Sequence, residues 1–140
     1  MTDAETLDGV STVEVRTSAS AALIPTIRAV ASDLAARADF DLDAISDLRM
    51  AVDEACATLI DVAEPTALLQ CRFHVRPERI QVHAQVQAAK PDSAVSTDTF
   101  GWRVLQTLAD DAELQHIAGT DGEPSVVGIR FDKHAGDVPR

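Results

Sequence analysis

The side chains best suited to chemistry lie within one predicted helix, between residues 47 and 61. Glu54 and Thr58 are four residues apart, and Asp61 follows about one further turn along the same face. Residues i and i+4 share a helix face, so a carboxylate and a hydroxyl point toward the same ligand. Asp53, beside Glu54, is interpreted as surface charge. The segment predicts a polar site on one face of a helix.

Other reactive residue types form no pattern of comparable quality. Cys56 and Cys71 are the only cysteines, and no CxxC or Cys/His ligand spacing is present. We expect both to be free core thiols of a protein from a reducing compartment. His74 and His83 fall on one face of a predicted strand pair, where polar sheet residues are a better interpretation than metal ligands. No Ser-His-Asp arrangement has local support.

The helix that carries Glu54 has the clearest apolar periodicity in the chain. Asp41 supplies its N-cap and Pro65 ends it. Its apolar residues are spaced 3, 4, 3, 4 and 3 and form one stripe: Ile45, Leu48, Val52, Ala55, Leu59 and Val62. An earlier helix starts near Ala22, because Pro25 is tolerated only in a first turn, and it ends around Ala38. A third helix begins near Phe100, with Val104, Leu105 and Leu108 predicted to face inward.

Alternating residues predict five strands around these helices. The first covers residues 12–16, and the last two lie around 113–118 and 125–131. Between them, a two-residue turn at Pro77-Glu78 would pair Val75 with Ile80 and Phe73 with Val82, although Pro-Glu is not a favoured turn and the loop could be longer. The order β-α-α-β-β-α-β-β predicts a two-layer α/β sandwich, with a mixed, mostly antiparallel sheet and helices on one face.

This order and three segments resemble the nucleotide-binding domain of the GHKL, or histidine kinase-like ATPase, superfamily. The segments are DLRMAVDEACATLI from residue 47, FGWRVLQTLADD from residue 100, and the closing hairpin. The similarity is greatest to the RsbW-type anti-sigma factors and serine-protein kinases. It covers about residues 10–132 and implies one domain there, with flexible ends at 1–9 and 133–140.

The resemblance implies an ATP–Mg²⁺ site in which helix two carries an E-x-x-x-N motif. Glu54 matches the Glu, which acts as the catalytic general base in active relatives. Thr58 stands at the position of the Asn whose side-chain oxygen binds the magnesium that bridges the ATP phosphates, so it is the candidate metal and cofactor contact. A hydroxyl is a shorter and poorer Mg²⁺ ligand than an amide oxygen. The substitution predicts weak metal binding at Thr58.

The two glycine boxes of active relatives are also altered. In the first, Asp92 is the only candidate for the Asp that binds adenine, and no glycine follows it. In the second, Gly101 is retained and Arg103 is a candidate phosphate contact. The lid between the boxes is short. These departures predict that ATP and Mg²⁺ binding is weak or lost, and that kinase activity is weak or absent.

The charge composition indicates which kinds of partner the chain can bind. Twelve Lys+Arg against 23 Asp+Glu give a net charge of −11, which disfavours nucleic-acid and membrane-surface binding and favours a basic protein partner. The resemblance implies a homodimer that binds an alternative sigma factor, with a STAS-type anti-anti-sigma protein as competitor, and the free cysteines fit a cytoplasmic protein. Arg28 is the candidate partner-binding residue, because helix one contributes such contacts in the family.

The leading prediction is therefore an anti-sigma factor of the stress-response type. Two alternatives remain open. One is an active serine kinase that phosphorylates the anti-anti-sigma partner, with Glu54 as base. The other is an unrelated α/β interaction domain whose helix-two motif is coincidental. A pocket between helix two, helix three and the 88–99 loop would argue against the latter.

Overall fold

The computed structural model describes residues 10–91, 93, 95–120 and 122–136 of the 140-residue chain. Its elements follow the predicted order β-α-α-β-β-α-β-β. A short 3-10 turn at Ala21–Leu23 leads into the first helix. The bounds are β1 Ser11–Ser18, α1 Ile24–Arg37, α2 Leu42–Val62, β2 Leu68–Arg76, β3 Arg79–Gln87, α3 Phe100–Leu108, β4 Asp111–Ile117 and β5 Val126–His134.

The strands form one five-stranded sheet in the order β1-β2-β3-β5-β4. All four strand pairings are antiparallel. The sheet was predicted to be mixed and mostly antiparallel, and the described strands contain no parallel pair. The β2–β3 register is the predicted one, with Val75 opposite Ile80 and Phe73 opposite Val82. The turn does contain two residues, and Glu78 adopts the left-handed conformation (φ 62°) that so tight a turn requires.

Helix α2 lies between α1 and α3 and also packs on the sheet. Leu48, Val52 and Leu59 from its apolar stripe are fully buried, as are Phe73 and Phe131 from the sheet. The core therefore lies between one helical layer and one sheet face, which confirms the predicted two-layer arrangement. The opposite sheet face is polar. There, His74 contacts Thr12, and His83 contacts Gln115 at 2.8 Å.

Local signals account for where the helices begin. The Asp41 carboxylate accepts a hydrogen bond from the Ala44 N–H at 2.7 Å, so it caps α2 as predicted. Pro25 lies in the first turn of α1, where its missing N–H costs nothing. Thr99 caps α3 through the Trp102 N–H. These signals fix where the three helices begin, and two of the helices, α2 and α3, border the candidate site.

Two cysteines pack together inside this core. Cys56 on α2 and Cys71 on β2 are both free and fully buried, which confirms the prediction of core thiols. A hydrogen bond with Cys56, followed by burial, raises the pKa of the Cys71 thiol well above its ordinary value. The Cys71 side chain is thus a neutral packing group.

Two features differ from the sequence-based expectations. Helix α3 buries Trp102 and Leu105, whereas Val104 and Leu108 are only partly buried and Phe100 is 82% exposed. At the C-terminal end, β5 continues to His134 and Ala135 is buried, so the folded part extends beyond the predicted boundary at residue 132. Residues 1–9 and 137–140 lie outside the described residues. No helix in the described part is long and apolar enough to cross a membrane.

Candidate functional site

A cleft of about 320 Å³ lies between α2 and the segment that leads into α3. We call it the α2–α3 cleft. Helix α2 contributes four polar or small side chains and Val62, and the other wall is formed by Val95, Ser96, Thr99 and Gly101. The α2 residues that line it are Glu54, Ala57, Thr58, Asp61 and Val62. The predicted helix-face trio of Glu54, Thr58 and Asp61 is therefore assembled in one place.

Glu54 and Gly101 are brought close together across this cleft. A Cβ atom added to Gly101 would lie only 2.8 Å from Glu54 Oε2, so the carboxylate end rests against the glycine. A side chain at position 101 would compete with Glu54 for the same space. Gly101 is thus more than an entry residue for helix α3, because its bare backbone permits this approach.

Arg103 does not join the cleft. Its guanidinium is 71% exposed and pairs with Asp98 at 3.6 Å, and the residue contributes to a separate groove on the outer side of α3. Arg103 is thus not among the residues that line the cleft, and its contact with phosphate stays a prediction. At the start of the same helix, the Trp102 N–H donates to Thr99 Oγ1 and the Arg103 N–H to the Thr99 carbonyl. The bond from Arg103 is the first regular bond of the helix, and the bond from Trp102 engages one of the N–H groups that a helix start offers to an anion.

Arg28 lies on α1 and is not among the residues that line the α2–α3 cleft. Its Nη1 donates to Asp53 Oδ2 at 3.0 Å, and both side chains are about one-third exposed. The pair ties α1 to α2, so Asp53 is an inter-helix partner rather than isolated surface charge. Asp92, the candidate adenine contact, lies outside the described residues.

The charge of the cleft is one-sided. Its described lining includes the carboxylates Glu54 and Asp61 and the hydroxyls of Thr58, Ser96 and Thr99, but no Lys or Arg. Such a lining offers oxygen atoms to a cation and offers no positive side chain to a phosphate. Hydroxyls and carboxylates are hard oxygen ligands, although Mg²⁺ requires near-octahedral geometry and seldom relies on hydroxyls alone.

Comparison with known proteins adds to this geometry. Residues 17–127 match the family model described as "Histidine kinase-like ATPase domain". The chain belongs to this family. It is also similar to "Anti-sigma-F factor RsbW" of Mycobacterium tuberculosis, strains CDC 1551 and H37Rv, with 36% identity over 124 residues. That alignment covers 88% of this chain and 71% of the relative. "Serine-protein kinase RsbW" of Halalkalibacterium halodurans is 22% identical over 126 residues, 77% of this chain and 78% of the relative.

The recognised resemblance to the RsbW-type branch is thereby confirmed, and a coincidental helix-two motif in an unrelated domain is ruled out. The family's ATPase-like domain implies ATP as its characteristic ligand. The site also contains residues that the sequence analysis did not select, namely Val95, Ser96 and Thr99. Thr99 could have been found from the sequence, because a Thr directly before the predicted helix start at Phe100 fits the N-cap pattern. Val95 and Ser96 carried none, because their position depends on the path of the loop.

Proposed function

We propose that this chain is an anti-sigma factor that binds an alternative RNA polymerase sigma factor of the stress-response type. Binding keeps the sigma factor from the polymerase core enzyme. The observation that carries the proposal is the 36% identity to a protein named anti-sigma-F factor, extending over 88% of this chain. The geometry of the α2–α3 cleft favours a mechanism that depends on binding alone.

The cleft fits magnesium-bound ATP poorly. Thr58 replaces the amide ligand, and the carboxylate of Glu54 occupies the approach to Gly101. Two carboxylates repel a triphosphate, and none of the described lining residues brings a compensating positive charge. We therefore propose weak or lost ATP and Mg²⁺ binding, and we assign no phosphoryl-transfer step to Glu54.

The charge distribution favours a basic partner. Residues 24–64, which include α1 and α2, contain nine Asp or Glu residues and three Arg residues. Surfaces with which a sigma factor contacts DNA are basic, because they neutralise phosphates. An acidic helical layer attracts such a surface and competes with DNA for it. Binding of this kind needs a folded, exposed face and no nucleotide.

The remaining partners follow from the same proposal. A STAS-type anti-anti-sigma protein competes for the chain in the cytoplasm, and Arg28 on α1 is a candidate contact. A homodimer is supported by β1, which lies at the edge of the sheet. Between β1 and α1 runs a groove of about 540 Å³ whose lining includes Val13, Val30 and Leu34. An edge strand beside an apolar groove is suited to pairing with a second copy.

The test is promoter-specific transcription in a purified system. Each alternative sigma factor of the source organism is combined with core polymerase, with the chain added before or after holoenzyme assembly. We expect the chain, without prior incubation with nucleotide, to inhibit transcription by one sigma factor. Inhibition should be strongest when the chain is added before the holoenzyme assembles. A Glu54→Gln variant should inhibit equally. No inhibition of any sigma factor would contradict the proposal.

A second candidate is a serine protein kinase, because Glu54 and Thr58 do share a cleft and one relative carries that name. Its test is titration with ATP and Mg²⁺, followed by the Trp102 fluorescence, which reports from the helix beside Gly101. Binding near micromolar concentration in the natural sequence would favour the kinase. No binding, with partial recovery in Thr58→Asn, would favour a site that has decayed at its metal ligand.

A further inference from the structure

We infer that the outer face of α3 is the docking surface for a basic amphipathic helix of the sigma factor. This face is formed by Phe100, Val104 and Leu108, and we call it the α3 stripe. The inference rests on the proposed function, since it names the surface through which the sigma factor would be held.

The α3 stripe is an apolar row at helical spacing. Its three residues follow one another at intervals of four, and with Arg103 and Thr107 they line a shallow groove of about 290 Å³. Phe100 is 82% exposed, the most exposed aromatic residue in the described part of the chain. Spacing of i, i+4 and i+8 is the pattern that accepts another helix along its length.

The core accounts for only part of this row. Helix α3 buries Trp102 and Leu105 in the main core and Leu108 is partly buried against it, whereas Phe100 and Val104 lie outside that cluster. The apolar surface of α3 therefore extends beyond the side that holds the helix in place. An aromatic residue on an exposed apolar row is typical of an interaction site.

The charges around the stripe select a basic occupant. Asp98 precedes the helix and Asp110 follows it, both at exposed positions. The one basic side chain in the groove, Arg103, is paired with Asp98. An apolar row with an acidic border complements a helix that carries apolar residues on one side and Lys or Arg beside them.

The variant test uses a matched pair of exposed apolar residues. Phe100→Ser removes the most exposed side chain of the proposed surface, and Leu42→Ser removes a side chain that is 84% exposed at the start of α2. We expect Phe100→Ser to weaken binding of the inhibited sigma factor by about tenfold or more, as for an aromatic hot spot. Leu42→Ser should leave the affinity within about twofold. Both variants should keep the far-UV spectrum and melting temperature of the parent.

A photo-cross-linking amino acid at position 100, or at position 42 as control, locates the partner in cells of the source organism. We expect position 100 to cross-link a sigma factor through a Lys/Arg-rich helical peptide. Any of three results would overturn the α3 stripe as the docking surface and leave the anti-sigma proposal standing. These are sigma cross-links at position 42 alone, equal affinities for the two variants, and cross-links only between copies of this chain. Loss of sigma binding by the unaltered chain would overturn both.

Discussion

The ion pair between Arg28 and Asp53 gives a quantitative test of how α1 is fixed to α2. The Nη1–Oδ2 distance is 3.0 Å and both side chains are about one-third exposed. Exposed pairs contribute about 0.2–1 kcal/mol, and this pair joins two elements in a partly buried place, so we expect a coupling energy of about 1 kcal/mol. That corresponds to about 4 °C in melting temperature for a domain of this size.

The single substitutions should differ from each other. Asp53 Oδ1 is buried and, among the described residues, has no hydrogen-bond partner. Arg28→Ala therefore leaves a partly desolvated carboxylate and should cost about 1.5 kcal/mol, whereas Asp53→Ala should cost about half as much. Urea unfolding of the parent, both single variants and the double variant measures the coupling. Additivity within about 0.3 kcal/mol would refute the account of α1 attachment.

The same variants test whether Arg28 contacts a partner or only holds α1 against α2. If Arg28 also contacts a partner, Arg28→Ala should weaken inhibition of the sigma factor more than Asp53→Ala does. If the residue serves only to hold α1, the two variants should impair inhibition in proportion to their loss of stability.

Three further substitutions test other parts of the structure. Asp41→Ala removes the cap that accepts the Ala44 N–H, and thermal unfolding should show a loss of about 1 kcal/mol; an unchanged melting temperature would contradict the capping role. Gly101→Ala displaces only the flexible end of Glu54, so calorimetry should show a gain of about 0.5 kcal/mol from helix propensity, and a clear loss would contradict the packing described. Burial, and then the neighbouring arginines, lowers the pKa of His74 from 6.5, so the unfolded chain binds the His74 proton more tightly than the folded chain does. Urea unfolding should therefore show that the free energy of unfolding falls as the pH decreases below about 6.5. His74→Gln should reduce this pH dependence.

The sequence predicted most successfully where one physical constraint acts alone. In the β2–β3 hairpin, side chains alternate between faces, so a shift of one residue would bury Arg72 and expose Phe73. The register could therefore be predicted even though Pro77-Glu78 is an unusual turn. Helix α2 was predictable for a similar reason, because its long apolar stripe allows one orientation.

The orientation of α3 was not predictable in this way. Apolar residues occur at positions 100, 102, 104, 105, 108 and 109, which together surround most of a nine-residue helix. The buried side is then decided by fit against α2 and β4. Trp102 takes it together with the predicted Leu105, whereas the predicted Leu108 packs only partly against the core and Val104 lies outside it. The cleft wall at Val95 and Ser96 likewise depends on long-range packing of a loop with no periodic pattern. The helix-borne half of the site was foreseen and the loop-borne half was not.

The central claim, binding without nucleotide, is tested most directly by titrating the chain into its purified sigma factor by calorimetry, with and without ATP and Mg²⁺. The account predicts a tight complex in nucleotide-free buffer and the same affinity when ATP and Mg²⁺ are present. A complex that forms only with ATP and Mg²⁺, and that Glu54→Gln or Thr58→Ala alters, would contradict the account and show that the α2–α3 cleft is a working nucleotide site.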